Sequence, residues 1–315
     1  MRGFYVTLLV CLTFVLAFGT GAVLAQGTVT LTLQDSYGNG LSGGLVQYYE
    51  GGAWQAAGTT DANGEVFIDG LENTVSFRMY WEDTYIQKNQ NISTNPTVIF
   101  QTVLVKMELH SSQGATIIGE GQVDAGSWKS LGNTPTAGME LLPATYAFRI
   151  YYEDTYIQKN QNVATDPLVI FETVLVKMEL HSSLGATLIG EGQVNSGSWK
   201  SLGNTPTSGK ELLPQTYAFR IYYEDTYIQE NQNVASDQLV VFNTVLVTVR
   251  LVDSGSNDLV GDAQVNSGTW KSLGNTPTDG KELLPTTYAF RVYYDDTYTQ
   301  KNQNVSGNPE VIFTQ

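Results

Sequence analysis

Apolar and polar residues alternate in short runs along the chain, a pattern typical of half-buried β-strands. Residues 28–33 alternate in this way, and turn-forming Asp, Ser, Gly and Asn follow in residues 35–40. Residues 75–81 carry Val, Phe, Met and Trp at every second position, with Ser, Arg and Tyr between them. No stretch has an apolar period of about 3.6 residues over a length sufficient for a helix. The pattern therefore predicts an all-β fold.

Seven strand-like runs separated by turn residues lie within residues 28–101. They are residues 28–33, 45–49, 53–55, 65–68, 75–81, 85–87 and 97–100. Short strands with frequent turns are typical of two sheets packed face to face. We therefore expect a seven-stranded all-β sandwich.

The dominant feature of the sequence is a cassette that recurs. It opens at Trp128 and returns almost unchanged from Trp199 and from Trp270, at the same spacing each time. A looser copy opens at Trp54. Repetition at a fixed period indicates a string of like modules of about 70 residues each. The predicted organisation is a leader at residues 1–25 and modules at residues 26–101, 102–172, 173–243 and 244–315.

No linker separates the predicted modules. The last strand of each runs into the first strand of the next without a Pro, Gly or Ser tract, at 101–102, 172–173 and 243–244. If these strands are continuous, neighbouring modules cannot swivel freely. We therefore expect a tandem array in the form of an elongated, stiff rod of about 30 to 40 Å per module.

Glycines and an Asp-x-Asn-Gly turn mark the first module. The marking residues are Asp35, Gly38, Val46, Val66, Phe67, residues 40–44 and residues 58–64. With these residues the module resembles the prealbumin-like sandwich repeats of bacterial surface proteins, which include the carboxypeptidase-regulatory-like and collagen-adhesin B-type families. Module 2 keeps the strand layout but has Gly-Asn-Thr-Pro-Thr at residues 132–136 in place of that turn. The resemblance implies that each module is an Ig-like or prealbumin-like β-sandwich, and it implies a stalk or adhesion role without catalysis.

The start of the chain has the features of a secretory signal peptide. Arg2 precedes an apolar stretch at residues 4–18, and small residues lead up to Ala25. A membrane anchor is the alternative, but the apolar core is interrupted at residues 19–21 and is short for a span of about 20 residues. The single cysteine, Cys11, lies in this leader. We expect cleavage, a secreted protein that is extracellular or at the cell surface, no membrane span afterwards, and no disulfide.

Charge and motifs exclude several classes of function. A net charge of −15 argues against nucleic acid and against an anionic membrane surface. No phosphate-binding loop, nucleophile system or metal-ligand cluster stands out, so we expect no enzyme activity, no catalytic residues, no cofactor and no metal. Acidic pairs such as Glu153 and Asp154 lack the spacing of a calcium loop and are interpreted as solvated turn residues. His110 and His181 are interpreted as surface residues.

The outward face of the fifth strand of each module is the candidate ligand-binding surface. Alternation points Phe148 and Ile150 inward and Arg149 and Tyr151 outward. A ring beside arginine and the amides of residues 156–162 suits a glycan or a peptide. The alternative is a solvated sheet face with a cross-strand cation–π pair. The candidate residues are Arg78, Tyr80, Arg149, Tyr151, Arg220, Tyr222, Arg291 and Tyr293.

The tryptophan that opens each cassette is interpreted as a core or rim aromatic that seals the sandwich, with a sugar-stacking platform as the alternative. Two functions stay open. The first is a secreted, non-catalytic stalk or adhesion protein of the cell surface or extracellular matrix. The alternative is a multivalent carbohydrate-binding protein that uses the Arg-x-Tyr faces. The expected partners are glycans or other surface and matrix proteins, and lateral self-association is a further option.

Overall fold

The computed structural model describes residues 27–315, so the leader predicted at residues 1–25 lies outside the described part. Every regular element in that part is a β-strand, and the strands form sheets of three or four strands. None of the described residues forms a helix long and apolar enough to cross a membrane. The all-β fold predicted from the alternation is confirmed.

Module 1 is a sandwich of two sheets. Its strands are β1 (Val29–Gln34), β2 (Leu45–Glu50), β3 (Ala53–Thr59), β4 (Glu65–Ile68), β5 (Thr74–Trp81), β6 (Thr84–Asn91) and β7 (Thr97–Gln101). One sheet has the order β4-β1-β7, in which β1 and β7 are parallel. The other has the order β3-β2-β5-β6 and is antiparallel throughout. The seven predicted strands are thus all present.

The later modules repeat this plan. Module 2 comprises β8 (Val103–His110), β9 (Thr116–Ile117), β10 (Glu120–Asp124), β11 (Trp128–Asn133), β12 (Met139–Leu141), β13 (Thr145–Tyr152), β14 (Thr155–Asn162) and β15 (Leu168–Glu172). Module 3 comprises β16 (Val174–His181), β17 (Thr187–Leu188), β18 (Glu191–Asn195), β19 (Trp199–Asn204), β20 (Lys210–Leu212), β21 (Thr216–Tyr223), β22 (Thr226–Asn233) and β23 (Leu239–Asn243). Module 4 comprises β24 (Val245–Val252), β25 (Asp258–Leu259), β26 (Asp262–Asn266), β27 (Trp270–Asn275), β28 (Lys281–Leu283), β29 (Thr287–Tyr294), β30 (Thr297–Asn304) and β31 (Glu310–Thr314).

In module 2 the two sheets have the orders β12-β8-β15 and β11-β10-β13-β14, and the same orders recur in modules 3 and 4. Each of these modules adds a two-residue strand beside its first strand, namely β9, β17 or β25. A strand this short leaves no alternation that sequence analysis could detect. The tandem array of β-sandwiches is confirmed, with this small addition to the seven strands.

Strand alternation builds a core between the two sheets of each module. In β13, Tyr146, Phe148 and Ile150 are buried, while Arg149 and Tyr151 are half-buried on the other face. Each fully buried Phe or Ile side chain contributes roughly 1.5 to 3 kcal/mol of transfer free energy. The predicted register of this strand is confirmed.

Two threonines in the segment that replaces the Asp-x-Asn-Gly turn connect neighbouring strands. The hydroxyl of Thr134 donates to the carbonyl oxygen of Ile117 at 2.7 Å and accepts from the amide of Gly119 at 2.8 Å. The hydroxyl of Thr136 accepts from the amide of Met107 at 2.9 Å. Both threonines are buried, so their hydroxyls satisfy backbone groups that water cannot reach.

Strand continuity across the module boundaries was predicted, and this is wrong in one respect. The two strands at each boundary are interrupted by a single threonine, at Thr102, Thr173 or Thr244. Thr102 is buried, and its amide donates to the carbonyl oxygen of Gln34 at 2.9 Å. Because this bond satisfies the amide that leaves the sheet, the chain is held where it passes from one module to the next.

Candidate functional site

A cluster of arginine and aromatic side chains covers the outer face of the four-stranded sheet in each module. In module 2, the register pairs Arg149 with Gln122 on β10 and with Gln158 on β14. The guanidinium donates two hydrogen bonds, from Nε and Nη2, to Oε1 of Gln122 at 2.8 and 2.5 Å. Its Cζ lies 4.0 Å from the centroid of the Trp128 ring, a cation–π contact. Arg149 is therefore held by contacts within its own sheet.

Two tyrosines extend this cluster to the edge strand β14. Tyr151 and Tyr156 are paired in the register, and their ring centroids lie 5.2 Å apart at an interplanar angle of 44°. The Cζ of Arg149 lies 5.1 Å from the Tyr151 ring and 5.7 Å from the Tyr156 ring. Tyr151 is half-buried, whereas 49% of Tyr156 is exposed. Tyr156 thus offers a ligand more surface than Tyr151 does, although the sequence pattern indicated it only as part of the adjoining polar run.

The cluster recurs in every module. The Cζ of the equivalent arginine lies 3.8 Å from the Trp54 ring in module 1, 3.9 Å from Trp199 in module 3 and 4.1 Å from Trp270 in module 4. The predicted residues lie in these clusters as the pairs Arg78 and Tyr80, Arg149 and Tyr151, Arg220 and Tyr222, and Arg291 and Tyr293. The exposed tyrosines of the edge strands are Tyr85, Tyr156, Tyr227 and Tyr298.

The tryptophans are expected in the core or at the rim of the sandwich, and the core position is wrong. Trp128 is half-buried and belongs to none of the four hydrophobic cores of the described residues. It lies instead on the outer face, against the guanidinium of Arg149. A β-bulge between Gly121 and Gln122 shifts the register of β10 against β11. Because a shift of one residue exchanges the two faces of a strand, alternation alone does not place Trp128.

The joint between modules is a second feature of the structure. It is formed by the Glu-Leu-Leu-Pro segment that recurs at residues 140–143, 211–214 and 282–285. Leu141 is fully buried in the core of its own module, whereas Leu142 is fully buried in the core of module 1. Leu213 and Leu284 lie in the same way in the cores of modules 2 and 3. Each of these segments therefore inserts one leucine into the preceding module. The sequence did not indicate this, because two adjacent leucines fit a single core equally well.

The glutamate before these leucines accepts hydrogen bonds from the preceding module and from the boundary threonine. Glu211 accepts from the amide and the hydroxyl of Ser112, at 3.1 and 2.5 Å, and from the hydroxyl of Thr173 at 2.5 Å. Burial would raise the pKa of Glu211, but these donors outweigh it and hold the pKa below its ordinary value. Glu140 and Glu282 make the same contacts at the other two joints.

Acidic turn residues form ion pairs across the same joints, so the interpretation as solvated turn acids is wrong for half-buried Glu153, whereas Asp154 is exposed. The ammonium of Lys200 lies 2.8 Å from the carboxylates of both Glu153 and Asp154, and that of Lys210 lies 3.0 Å from Glu153. Burial would raise the pKa of Glu153, but the two ammonium groups outweigh it and lower the pKa. The equivalent pairs are Lys129 with Glu82 and Asp83, and Lys271 with Glu224 and Asp225.

Histidine and metal chemistry was not expected. His110 and His181 are half-buried, and each lies 2.7 Å from a glutamate of its own strand, Glu108 or Glu179. Within residues 27–315, no group of His, Cys, Asp and Glu side chains could hold a metal ion. The outer-face cluster and the joint are thus the two recurring features of the described residues on which a function can be argued.

No protein-family model matches the chain, and no curated protein matches it. Among solved structures, the chain is similar to BcpA, the major pilin subunit of Bacillus cereus, at 12% identity over 92% of this chain and 98% of that chain, with a TM-score of 0.21. It is similar to SpaC, a pilus adhesin from Lactobacillus rhamnosus GG, at 12% identity over 91% of this chain and 44% of that chain, with a TM-score of 0.21. It is also similar to the Bacillus anthracis TIE protein, at 9% identity over 87% of this chain and 68% of that chain, with a TM-score of 0.21. Similarity at this level assigns neither a fold nor a function.

Proposed function

We propose that the chain is a secreted, non-catalytic stalk or adhesion protein of the cell surface or extracellular matrix, whose modules form a stiff rod. The joint is the observation that carries this proposal. Leu142, Leu213 and Leu284 are each fully buried in the core of the preceding module. Bending at a joint would withdraw that leucine into water, at a cost of roughly 1.5 to 3 kcal/mol.

Polar contacts add to the resistance of each joint to bending. The hydrogen bonds of Glu211 and the ion pairs of Lys200 both cross from module 2 to module 3. In the described part of the chain, every side-chain hydrogen bond between modules joins consecutive modules, which is the arrangement expected of a rod. The net charge of −15 favours a soluble extracellular chain.

Small-angle X-ray scattering on residues 26–315 tests the stalk. Four rigidly joined modules should give a maximum dimension of about 120 to 160 Å, from about 30 to 40 Å per module. A radius of gyration near about 19 Å, the value for a compact globule of this length, would contradict the proposal. Scattering at high salt should change little, because the buried leucines are insensitive to screening.

Multivalent carbohydrate binding at the outer faces is the second candidate function. The tyrosines of the edge strands favour it, because 47% of Tyr85, 49% of Tyr156, 52% of Tyr227 and 56% of Tyr298 is exposed. Exposed rings can stack on the apolar faces of sugars, and repetition turns weak contacts into avidity. Retention on immobilised glycans should be lost when these four tyrosines are changed to serine. The variant Phe67→Ser, which removes an exposed ring elsewhere, should bind normally.

A further inference from the structure

A groove lies at the joint between modules 2 and 3. It is a shallow groove that is open to solvent, with a volume of about 790 Å³. One wall comes from β14 and includes Tyr156 and Gln158. The other comes from module 3 and includes Asn195 and Gln215. The groove therefore exists only because the two modules are joined.

Hydrogen bonds across the joint hold the wall of this groove in place. The hydroxyl of Tyr217 lies 3.3 Å from the hydroxyl of Thr155 in module 2 and accepts from the amide nitrogen of Gln215 at 3.1 Å. Tyr217 itself is buried. On the opposite wall, the Tyr156 ring is held by its contacts with Tyr151 and Arg149. A ligand would meet side chains that are already ordered, so little entropy is lost on binding.

Polar groups of the groove keep hydrogen-bonding capacity for a ligand. The side-chain nitrogen of Gln215 donates to the hydroxyl of Tyr217, and no protein donor within the described residues reaches the side-chain carbonyl oxygen of Gln215. The side-chain amide of half-buried Asn195 makes no hydrogen bond in that part of the chain, and neither does that of exposed Gln158. Each planar amide offers donors and an acceptor at the spacing of adjacent sugar hydroxyls.

We propose that this groove binds a neutral oligosaccharide, a proposal that rests on the carbohydrate-binding candidate above. The ring of Tyr156 supplies a stacking surface for an apolar sugar face, and the amides of Gln158, Asn195 and Gln215 pair with hydroxyl groups. The carboxylate of Asp154, which also lines the groove, is already paired with the ammonium of Lys200, so no cation in the lining is left to attract acidic sugars. A chain of net charge −15 also disfavours acidic sugars.

The other two joints serve as internal comparisons. The joint between modules 1 and 2 has Asp124 and Ala144 where this joint has Asn195 and Gln215. The joint between modules 3 and 4 has Thr286 in place of Gln215, and its Asn266 accepts a hydrogen bond from the amide of Gly268. Only the joint between modules 2 and 3 therefore has an amide side chain at both of these positions.

Binding of neutral hexasaccharides to the full mature chain tests the proposal. The probes are cellohexaose, xylohexaose and mannohexaose, with hexagalacturonic acid as the acidic contrast, measured by saturation-transfer NMR and titration calorimetry. We expect at least one neutral probe to bind at one site per chain. The variant N195D/Q215A should bind it about tenfold more weakly. It should fold normally, because Asp and Ala stand at these positions in module 2.

A reciprocal variant makes the test sharper. D124N/A144Q gives the joint between modules 1 and 2 the same two amides beside exposed Tyr85, and we expect a second site per chain. Absence of binding by all three neutral probes, or tighter binding of the acidic probe, would overturn the groove site. Undiminished binding by N195D/Q215A would also overturn it, while carbohydrate binding at the outer faces would stand. None of these results would bear on the proposal that the chain is a stalk.

Discussion

Ser112 in module 2 donates two hydrogen bonds to the carboxylate of Glu211 in module 3, from its amide at 3.1 Å and from its hydroxyl at 2.5 Å. Two residues later, Leu213 is fully buried in the core of module 2. A carboxylate that accepts several donors and a leucine buried in the neighbouring core constrain both the position and the rotation of module 3. The joint is therefore built from packed contacts and polar contacts, in addition to the absence of a linker.

Substitution of Leu212 or of Leu213 by alanine should destabilise different modules. Leu212 lies in the core of module 3, whereas Leu213 lies in the core of module 2. We expect Leu213→Ala to remove about 2 to 5 kcal/mol of stability and to loosen module 2, because the cavity forms there. Leu212→Ala should loosen module 3 instead. Hydrogen exchange resolved by module measures the difference.

The control for these variants is Leu184→Ala, since 87% of Leu184 is exposed and its loss should change no protection. If Leu213→Ala lowered the hydrogen-exchange protection of module 3 alone, this leucine would not pack in the core of module 2.

Acid should weaken the joints. Glu153, Glu211, Glu224 and Glu282 all have a pKa below the ordinary value in the folded chain. A lowered pKa means that their stabilising contribution is present above the unfolded value of about 4.3 and is lost as pH falls through the folded pKa. We expect joint amides, such as that of Ser112, to lose protection in NMR exchange below about pH 4 before the cores open. The variant E211Q should weaken this pH dependence at its own joint, where the ion pair of Glu153 remains, and should leave the joint between modules 3 and 4 unchanged.

Removal of a buried hydroxyl should stabilise module 3. The Ser196 hydroxyl is fully buried and has no hydrogen-bond partner among the described residues, and module 2 has fully buried Ala125 at the same position. We expect Ser196→Ala to raise the free energy of unfolding by about 1 to 3 kcal/mol, because an unsatisfied polar group costs that much. Urea denaturation measures this change. The reciprocal variant Ala125→Ser should destabilise module 2 by a similar amount. Destabilisation by Ser196→Ala, or stabilisation by Ala125→Ser, would contradict the account.

Glu230 should destabilise module 3, because the other modules have a lysine at this position of the edge strand. Lys159 donates from Nζ to the carbonyl oxygen of Ile170 at 2.5 Å and lies 5.0 Å from the Phe171 ring centroid, and modules 1 and 4 have the same lysine contacts. Module 3 has Glu230 there, and burial raises the pKa of its carboxyl.

A raised pKa means that the charged form is disfavoured in the folded chain, so the penalty grows as pH rises through the folded pKa. We therefore expect Glu230→Lys to stabilise module 3 by about 1 kcal/mol, and more at pH 7 than at pH 4. Thermal unfolding at the two pH values is the measurement. Lys159→Glu in module 2 is the matched variant and should have the reverse effect.

The fold was predictable from the sequence because alternation and turn residues act locally. The inward positions of Phe148 and Ile150 follow directly from period-2 alternation, and both are fully buried. The face of Trp128 did not follow, because the bulge at Gly121 and Gln122 depends on pairing with the neighbouring strand.

The joint could not be predicted for a related reason. Leu142 and Leu141 are equally apolar, and only the packing of one module against the next decides which core receives each side chain. The ion pair of Lys200 with Glu153 likewise joins residues that are distant in sequence. The positions of Arg149 and Tyr151 in one cluster were predictable, since both lie on a single strand.

The central claim is that each joint holds two modules in one orientation, and a distance distribution across a single joint tests it most directly. Residues 26–315 contain no cysteine, so spin labels can be placed at Asn160→Cys and Asn231→Cys, exposed and equivalent positions in modules 2 and 3. A label pair within module 2, at Asn133 and Asn160, gives the width that the labels contribute by themselves.

Pulsed electron double resonance should then give one narrow distance distribution across the joint, as narrow as that of the pair within module 2. Adding Leu213→Ala should broaden it, because the buried leucine no longer resists rotation. A distribution that is already broad without this substitution, and that Leu213→Ala leaves unchanged, would contradict the account.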